Sequence, residues 1–273
     1  MAAYLRGYSS AEATRLGLQA DLLEDLLHGG TAFVDGAEVL EAGCGVGAQT
    51  LALVRRNPGA RFICVDISDA SLALARDRAA AAGITSARFQ HADLHALPFE
   101  AGSFDHVFMS FVLEHCSSPA IALRELHRVL RPGGSITITE PDHATTVFHP
   151  ASDAARGVFD GMVRAQAAMG GDGRIGHRLF PLLQAAGFQV ESVAPRPLYV
   201  DARHVNDATA VVNDIFVPAL ETTSGNMIAH AGMDPRDVAS GLDAWRRLAA
   251  DPELVVCTTL FQAVARRVAQ ARP

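Results

Sequence analysis

Between Val39 and Thr50 an apolar run ends in a carboxylate, Glu41, and three glycines follow at alternate positions, Gly43, Gly45 and Gly47. Glycine tolerates the positive φ of a sharp strand-to-helix turn, and its missing side chain lets backbone N–H groups approach a ligand. The chemistry such a turn serves is the binding of a nucleotide or nucleoside. Asp66 follows about 20 residues beyond the turn, at the end of a second apolar run, where an acceptor-only side chain can take both hydroxyls of a ribose. Histidines offer a second kind of chemistry. His143 stands in Glu140-Pro141-Asp142-His143, His149 in Phe148-His149-Pro150, and His177 just before a helix-like stretch. An imidazole titrates near neutral pH and suits a general base.

Gly43-x-Gly45-x-x-Ala48 also satisfies the loose dinucleotide fingerprint, whose helix N-terminus holds a pyrophosphate. Glu41 argues against that ligand, because like charges in a partly dry site repel. It suits a cationic one. Here the sequence resembles the class I S-adenosylmethionine-dependent methyltransferases, whose first motif, E/D-x-G-x-G-x-G, is filled by Glu41, Gly43, Gly45 and Gly47. The likeness extends through Asp66-Ile67, Ala92-Asp93-Leu94-x-x-Leu97-Pro98-Phe99, Phe104-Asp105-His106-Val107 with Leu113-Glu114-His115, and Arg131-Pro132-Gly133-Gly134. It covers about Val39 to Asp142 and is topological beyond. The resemblance implies S-adenosyl-L-methionine as methyl donor, S-adenosyl-L-homocysteine as product, and no metal. It implies a cofactor site made of Glu41, Gly43, Cys44, Gly45, Gly47, Asp66, Ile67, Asp93, Leu94, Ser110, Phe111 and His115. Within it Asp66 would hold the ribose, Ile67, Asp93 and the Leu94 N–H the adenine, and Ser110, Phe111 and His115 would border the methionine arm.

Elements able to position these groups follow from periodicity and caps. Ser9-x-x-Glu12 has the form of a capping box and opens an N-terminal helix that ends near Gly29-Gly30. Strands are expected at Glu38–Ala42, Arg61–Ile67, Arg88–Ala92, Asp105–Phe111 and Ser135–Thr139. Helices lie between them: Ala48–Arg56, a segment capped by Ser68 or Asp69 and ended by Gly83, and a segment capped by Ser118 before Pro119. Leu179–Ala186 is a further helix, Phe188–Val200 a strand bulged at Pro195 and Pro197, and Val255–Val268 a last strand whose second half could be helical. The alternation predicts an α/β fold. With the resemblance it implies a Rossmann-like, seven-stranded, mostly parallel sheet with helices on both faces, a reversed final strand and a mainly helical cap from insertions. Residues 1–36 are expected to form an N-terminal helical segment or lid. Residues 37–201 and 252–273 are expected to form the cofactor-binding core, with 141–176 as a cap insertion and 202–251 as a second, helical one.

The 273 residues, 49% apolar and 19% charged, suit an ordered protein with a large core. A formal charge of −7 without a basic tract argues against nucleic acid as partner, and no apolar run approaches membrane-spanning length. Cys44, Cys64, Cys116 and Cys257 are scattered, which suits a reducing cytoplasm and neither a disulfide framework nor a zinc site. His91-x-Asp93-x-His95 is discounted as a metal site. A monomer or homodimer acting on a small organic molecule is expected. His143 and His149 are the candidate bases; Tyr8, Arg164, Gln166 and His177 are candidate substrate contacts, and Tyr4 could join Tyr8 over the cofactor. Neither the D/N-P-P-Y/F motif of amino-base methyltransferases nor the paired-glutamate loop of protein arginine methyltransferases is present, which leaves a group resembling the ubiquinone- and menaquinone-pathway enzymes. Oxygen is the favoured acceptor atom, with nitrogen and carbon open. An NAD(P)-dependent oxidoreductase and a non-catalytic S-adenosylmethionine-binding protein are the alternatives.

Overall fold

Residues 9–268 are described by a computed structural model. Seven strands, β1 (Glu38–Ala42), β2 (Arg61–Asp66), β3 (Ala87–His91), β4 (Phe104–Ser110), β5 (Leu130–His149), β6 (Phe188–Asp201) and β7 (Val255–Arg267), form one sheet in the order β3-β2-β1-β4-β5-β7-β6. β1 to β5 pair in parallel, and β7 runs antiparallel between β5 and β6. The reversed last strand is therefore present, and it is strand throughout.

Burial on both faces explains the near-continuous apolar runs. Leu40, Val65, Val107, Ile136 and Ile138 pack to one side with α5 (Pro119–Val129) and α7 (Leu179–Ala185) through Leu123, Leu126, Leu179 and Leu183. Val39, Phe62, Cys64 and Phe108 face the other side and meet Leu53 of α3 (Ala48–Arg56) and Leu72 of α4 (Asp69–Ala81). Ser68 is the cap of α4, its Oγ accepting the Ser71 N–H at 3.1 Å. Ser118 precedes Pro119 as expected, but its side chain makes no capping bond.

Four local expectations are corrected. The N-terminal helix breaks at Leu23 into α1 (Ser10–Leu22) and α2 (Glu24–His28). Only half of its capping box forms: Ser9 Oγ accepts the Glu12 N–H at 3.1 Å, while the Glu12 carboxylate turns to Arg15. β5 does not stop at Thr139. It continues to His149 because β7 supplies partners, with an irregularity between Asp142 and Val147. β6 slips its register between Val190 and Ser192, not at the prolines. Pro195 and Pro197 share one phase of this edge strand, where two missing N–H groups can face away from β7 without loss.

The long ends of β5, β6 and β7 carry a second core. α6 (Asp153–Ala168), α8 (Val205–Ala210), a π-helical turn (Val211–Phe216), α9 (Val217–Ala231) and α10 (Pro235–Ala249) pack there around fully buried Trp245. Its Nε1–H donates to the Ala155 carbonyl at 2.9 Å, and its ring stacks on Phe216 at 5.2 Å. Residues 141–176 are thus not one insertion, since they hold the end of β5, the cap helix α6 and the 3-10 turn Ile175–Arg178 that leads back to α7.

Candidate functional site

A cavity of about 240 Å³ opens where β1, β2 and β4 end, and runs from the glycine turn to the underside of the cap. Crevices at the carboxyl ends of parallel strands are where α/β folds bind ligands. The turn is shaped by two kinds of constraint. Gly43 has φ +76°, and a Cβ there would lie 2.5 Å from Val112 Cγ2. Gly45, at φ +53°, has open space where a side chain would stand, so its backbone borders the cavity directly. Gly47 caps α3 in the left-handed region, closely packed on Ala75.

The turn's N–H groups are largely used within the protein. Those of Gly43 and Cys44 donate to the Val65 carbonyl at 2.8 and 2.9 Å, that of Gly45 to Asp66 Oδ2 at 2.8 Å, and that of Gly47 to the Cys44 carbonyl at 2.9 Å. A pyrophosphate cradle needs such donors free. Asp66 Oδ1 also accepts the Ser68 N–H at 2.9 Å, so the carboxylate is fixed at the cavity wall. Burial raises its pKa against the Ser68, Gly45 and Ile67 N–H groups and nearby His91. Cys44, Ile67 and Leu94 line the cavity, and burial pushes the Cys44 thiol up.

Two expected cofactor residues stand elsewhere. Glu41 is 2% exposed beneath the turn and is not part of the cavity wall. Thr50 Oγ1 donates to its Oε2 at 2.5 Å, tying β1 to α3, and burial outweighs that bond and pushes the carboxyl up to about 7. The countercharge argument built on Glu41 therefore loses its geometry; the occupied N–H groups replace it. Asp93 sits outside the cavity lining with Oδ1 accepting His95 N–H at 2.9 Å and facing His95 Nδ1 at 2.8 Å. Burial raises its pKa, but the bonds from His95 outweigh it and the net shift is downward.

Beyond β4 the chain makes the 3-10 turn Leu113–His115. Its N–H groups find a partner the sequence reading did not single out. Glu140, fully buried on β5, accepts the N–H of Val112 and Leu113 at 2.8 Å on Oε1 and that of Glu114 at 3.2 Å on Oε2. Burial, reinforced by the neighbouring Glu114, pushes Glu140 up to about 8 against these bonds. The clamp holds Ser110, Phe111 and His115 in the cavity wall; Phe111 adopts φ 58°, rare for a residue with a side chain. Ser110 Oγ is buried and has no hydrogen-bond partner.

Glu114 was missed as a polar centre because it read as part of a motif. It is 1% exposed, lines the cavity, and accepts Gln166 Nε2–H at 2.8 Å. His143 Nε2 lies 3.4 Å from Glu114 Oε2, and His115 Nε2 lies 3.6 Å from Oε1. Three of the expected site residues, Gln166, His143 and His115, thus gather on one unpredicted carboxylate. His143 lines the cavity, and its buried Nε2 makes no hydrogen bond. Gln166 stands behind Glu114 rather than on the wall.

The other candidates lie away from the cavity. His149 is exposed, 3.8 Å from Glu253, because β5 carries it past the site to the cap's edge. His177 is half-exposed with Nδ1 2.7 Å from Asp142 Oδ2. Arg164 borders a separate surface depression between α6 and the Ala231–Asp234 turn. Tyr4 and Tyr8 fall outside the described residues. His91 faces Asp69 and His95 faces Asp93, and no metal-holding cluster occurs among the described residues. α1 also contributes: Glu12, Arg15 and Gln19 form a buried ion-pair and hydrogen-bond group on the wall, with Arg15 bidentate on Glu12 at 2.7 Å. No described helix is long and apolar enough to cross a membrane.

Residues 40–138 match the family model described as "Methyltransferase domain". An uncharacterized 37.1 kDa protein in a transposon of Streptomyces fradiae is 36% identical over 166 residues, 59% of this chain and 46% of its own length. The demethylmenaquinone methyltransferase of Thermus thermophilus is 40% identical over 102 residues, 37% of this chain and 46% of its own length. The chain thus matches less than half the length of these relatives. Among solved structures, the 4+2 cyclase SpnF superposes with a TM-score of 0.59 at 23% identity, over 91% of this chain and 81% of its own. Residues 40–138 are thus similar in sequence to a methyltransferase domain, and the seven-stranded sheet around them has the Rossmann-like methyltransferase fold.

Proposed function

We propose that the protein transfers a methyl group from S-adenosylmethionine to a small organic acceptor held under the cap, with oxygen the favoured acceptor atom. The observation that carries this reading is one cavity with two unlike ends. One end offers Asp66, Ile67 and Leu94, a nucleoside site whose turn donors are already used. The other is apolar and contains His143 and Glu114.

Asp66 would accept the ribose hydroxyls, Ile67 and Leu94 would flank the adenine, and Ser110 Oγ would gain its missing partner from the methionine arm. The open space over Gly45 and the unpaired Ser110 Oγ fit such a molecule. When bound, S-adenosylmethionine supplies an activated methyl whose leaving group needs no further help. The protein's part is alignment and exclusion of water, and proximity contributes about 7–11 kcal/mol in favourable cases. His143 Nε2 would take a proton from the acceptor, and Glu114, 3.4 Å away, would stand beside the imidazolium that results. General-base help of this kind is worth about 10²–10⁴ in rate.

The fold also hosts a cyclase, so fold alone does not fix the reaction. Incubating the protein with methyl-labelled S-adenosylmethionine and an extract of the producing cells, followed by mass spectrometry, tests the reading. A single product carrying the label is expected. Binding of S-adenosylhomocysteine without any labelled product, across extract and an acceptor panel, would overturn it in favour of a binding protein.

A further inference from the structure

Phe159, Met162, Leu198, Phe216, Leu220 and Leu260 wall the apolar end of the cavity, and the hydroxyl of Thr258 on β7 stands among them. Leu198 is its cross-strand neighbour on β6 and Leu260 lies two residues on, so the three side chains share one face of the sheet. Resting on the methyltransferase reading above, we propose that the Thr258 O–H is the specificity-determining hydrogen-bond donor of this chamber. The acceptor it selects is an apolar molecule that carries a carbonyl oxygen besides the atom that receives the methyl.

The direction of one hydrogen bond carries the inference. Thr146 Oγ1 and Thr258 Oγ1 lie 2.8 Å apart, and neither hydroxyl has another hydrogen-bond partner among the described residues. Each hydroxyl brings one hydrogen, so one of the two is left over. Thr146 is 1% exposed and does not border the cavity. A leftover hydrogen there would be a buried donor without an acceptor, which carries the full desolvation cost of the group. Thr258 is 8% exposed and borders the cavity, where a ligand can take the hydrogen. Thr146 therefore donates to Thr258, and Thr258 keeps its own hydrogen for the chamber.

The backbone around the pair is held firmly. The irregularity of β5 between Asp142 and Val147 is of the kind that re-aims a side chain, and Thr146 lies within it. Thr145 Oγ1 donates to the Asp142 carbonyl at 2.7 Å and accepts the Thr259 N–H at 2.9 Å, while Arg156 Nη2–H donates to the Thr146 carbonyl at 2.8 Å. A carbonyl oxygen accepts and never donates, so it matches the free hydrogen of Thr258. Donation from Thr146 strengthens that hydrogen, since bonds in a chain polarise one another. An apolar ligand without such an oxygen seals the chamber and leaves the Thr258 donor unpaired, which is how a polar group rejects an analogue lacking its partner.

The test is calorimetric titration of the S-adenosylhomocysteine-loaded protein with two probes of one shape, 2-acetylnaphthalene and 2-isopropenylnaphthalene, which differ only in a carbonyl against a methylidene group. We expect the ketone to bind about fivefold or more above the alkene in the wild type. The infrared band of its isotope-labelled carbonyl should fall to a lower frequency on binding than in a hydrocarbon solvent. Thr258→Val keeps the β-branched shape and should erase both the advantage and the band shift. Thr146→Val removes the same buried hydrogen bond but leaves Thr258 its hydrogen, so both should persist. A purely structural threonine pair would make the two variants alike. In the wild type, a smaller advantage, or no binding of either probe at millimolar concentration, would overturn the proposal. So would an advantage that survives Thr258→Val, or one lost in both variants. If Thr258→Val does not fold, the wild-type ratio, the band and Thr146→Val decide. A thermal-shift measurement with S-adenosylhomocysteine comes first. No stabilisation there defeats the methyltransferase reading itself, whereas stabilisation without a ketone advantage defeats only this inference.

Discussion

Gly43→Ala is the sharpest local perturbation the structure offers, and its cost divides into two parts. The left-handed backbone at φ +76° penalises any side chain by about 1–2 kcal/mol. The new Cβ would also stand 2.5 and 2.7 Å from the two methyls of Val112, overlap of the kind that costs about 1–3 kcal/mol in a packed site. Val112 has little room to yield, since Glu140 holds its N–H at 2.8 Å. The total is about 2–5 kcal/mol. Gly45→Ala is the matched control: φ is +53° but nothing lies within 4 Å, so only the backbone share of about 1–2 kcal/mol applies. Adding Val112→Ala to Gly43→Ala should recover the overlap and leave the strain, a coupling of about 1–3 kcal/mol in the double-mutant cycle. Urea denaturation followed by circular dichroism measures the wild type, the three single variants and the double variant; fluorescence of Trp245, the sole tryptophan, follows the cap separately. Equal losses in the two glycine variants, or strict additivity of Gly43→Ala with Val112→Ala, would refute the packing argument.

Three further outcomes are expected. Glu140 has its pKa raised to about 8, so the folded protein keeps a proton there that the unfolded chain releases near the ordinary 4.5. Its contribution is complete below that value and fades as pH rises through about 8, so Glu140→Gln should gain stability relative to the wild type between about pH 4.5 and 8 and hold that gain above it, and a difference independent of pH in denaturant titrations would contradict this. His143→Ala should lower kcat by about 10²–10⁴ with the identified acceptor, whereas His149→Ala and His177→Ala, both outside the cavity, should stay within about twofold; steady-state kinetics that ranked them the other way would displace His143. Trp245→Ala should destabilise the cap by about 3–5 kcal/mol, as cavity-forming truncations of buried aromatics do, and a loss under about 1 kcal/mol in urea denaturation would mean the second core is loosely packed.

What the sequence made legible follows how local each determinant is. β1 and α3 are found where the glycine spacing and apolar runs put them, residue for residue, because the turn that joins them is built from adjacent positions. β5 was cut short at Thr139 because its continuation through Pro141, Asp142 and His143 has no strand-like alternation. Only β7 makes it a strand, through contacts such as Thr146 Oγ1 to Thr258 Oγ1 at 2.8 Å, 112 positions apart. The site divides the same way. Asp66, Ile67, Leu94, Ser110 and His143 were expected from motif and position, and all five line one cavity. Glu41 was placed at the ligand from its spacing alone, yet a strand's alternation can turn a carboxylate under the turn as easily as over it. Glu114 and Glu140 escaped notice because their importance lies in partners 26 to 52 residues away, Val112, Leu113 and Gln166, that no local pattern announces.

The central claim is that this cavity takes S-adenosylmethionine through Asp66 and the glycine turn. Isothermal titration of the wild type and of Asp66→Ala with S-adenosylhomocysteine, and of the wild type with NADH, tests it most directly. One-to-one binding of S-adenosylhomocysteine is expected, weakened at least tenfold in Asp66→Ala, where charge-assisted bonds of about 1.5–3 kcal/mol each are lost, with no binding of NADH. Binding of NADH in place of S-adenosylhomocysteine, or an affinity that Asp66→Ala leaves unchanged, would contradict the account.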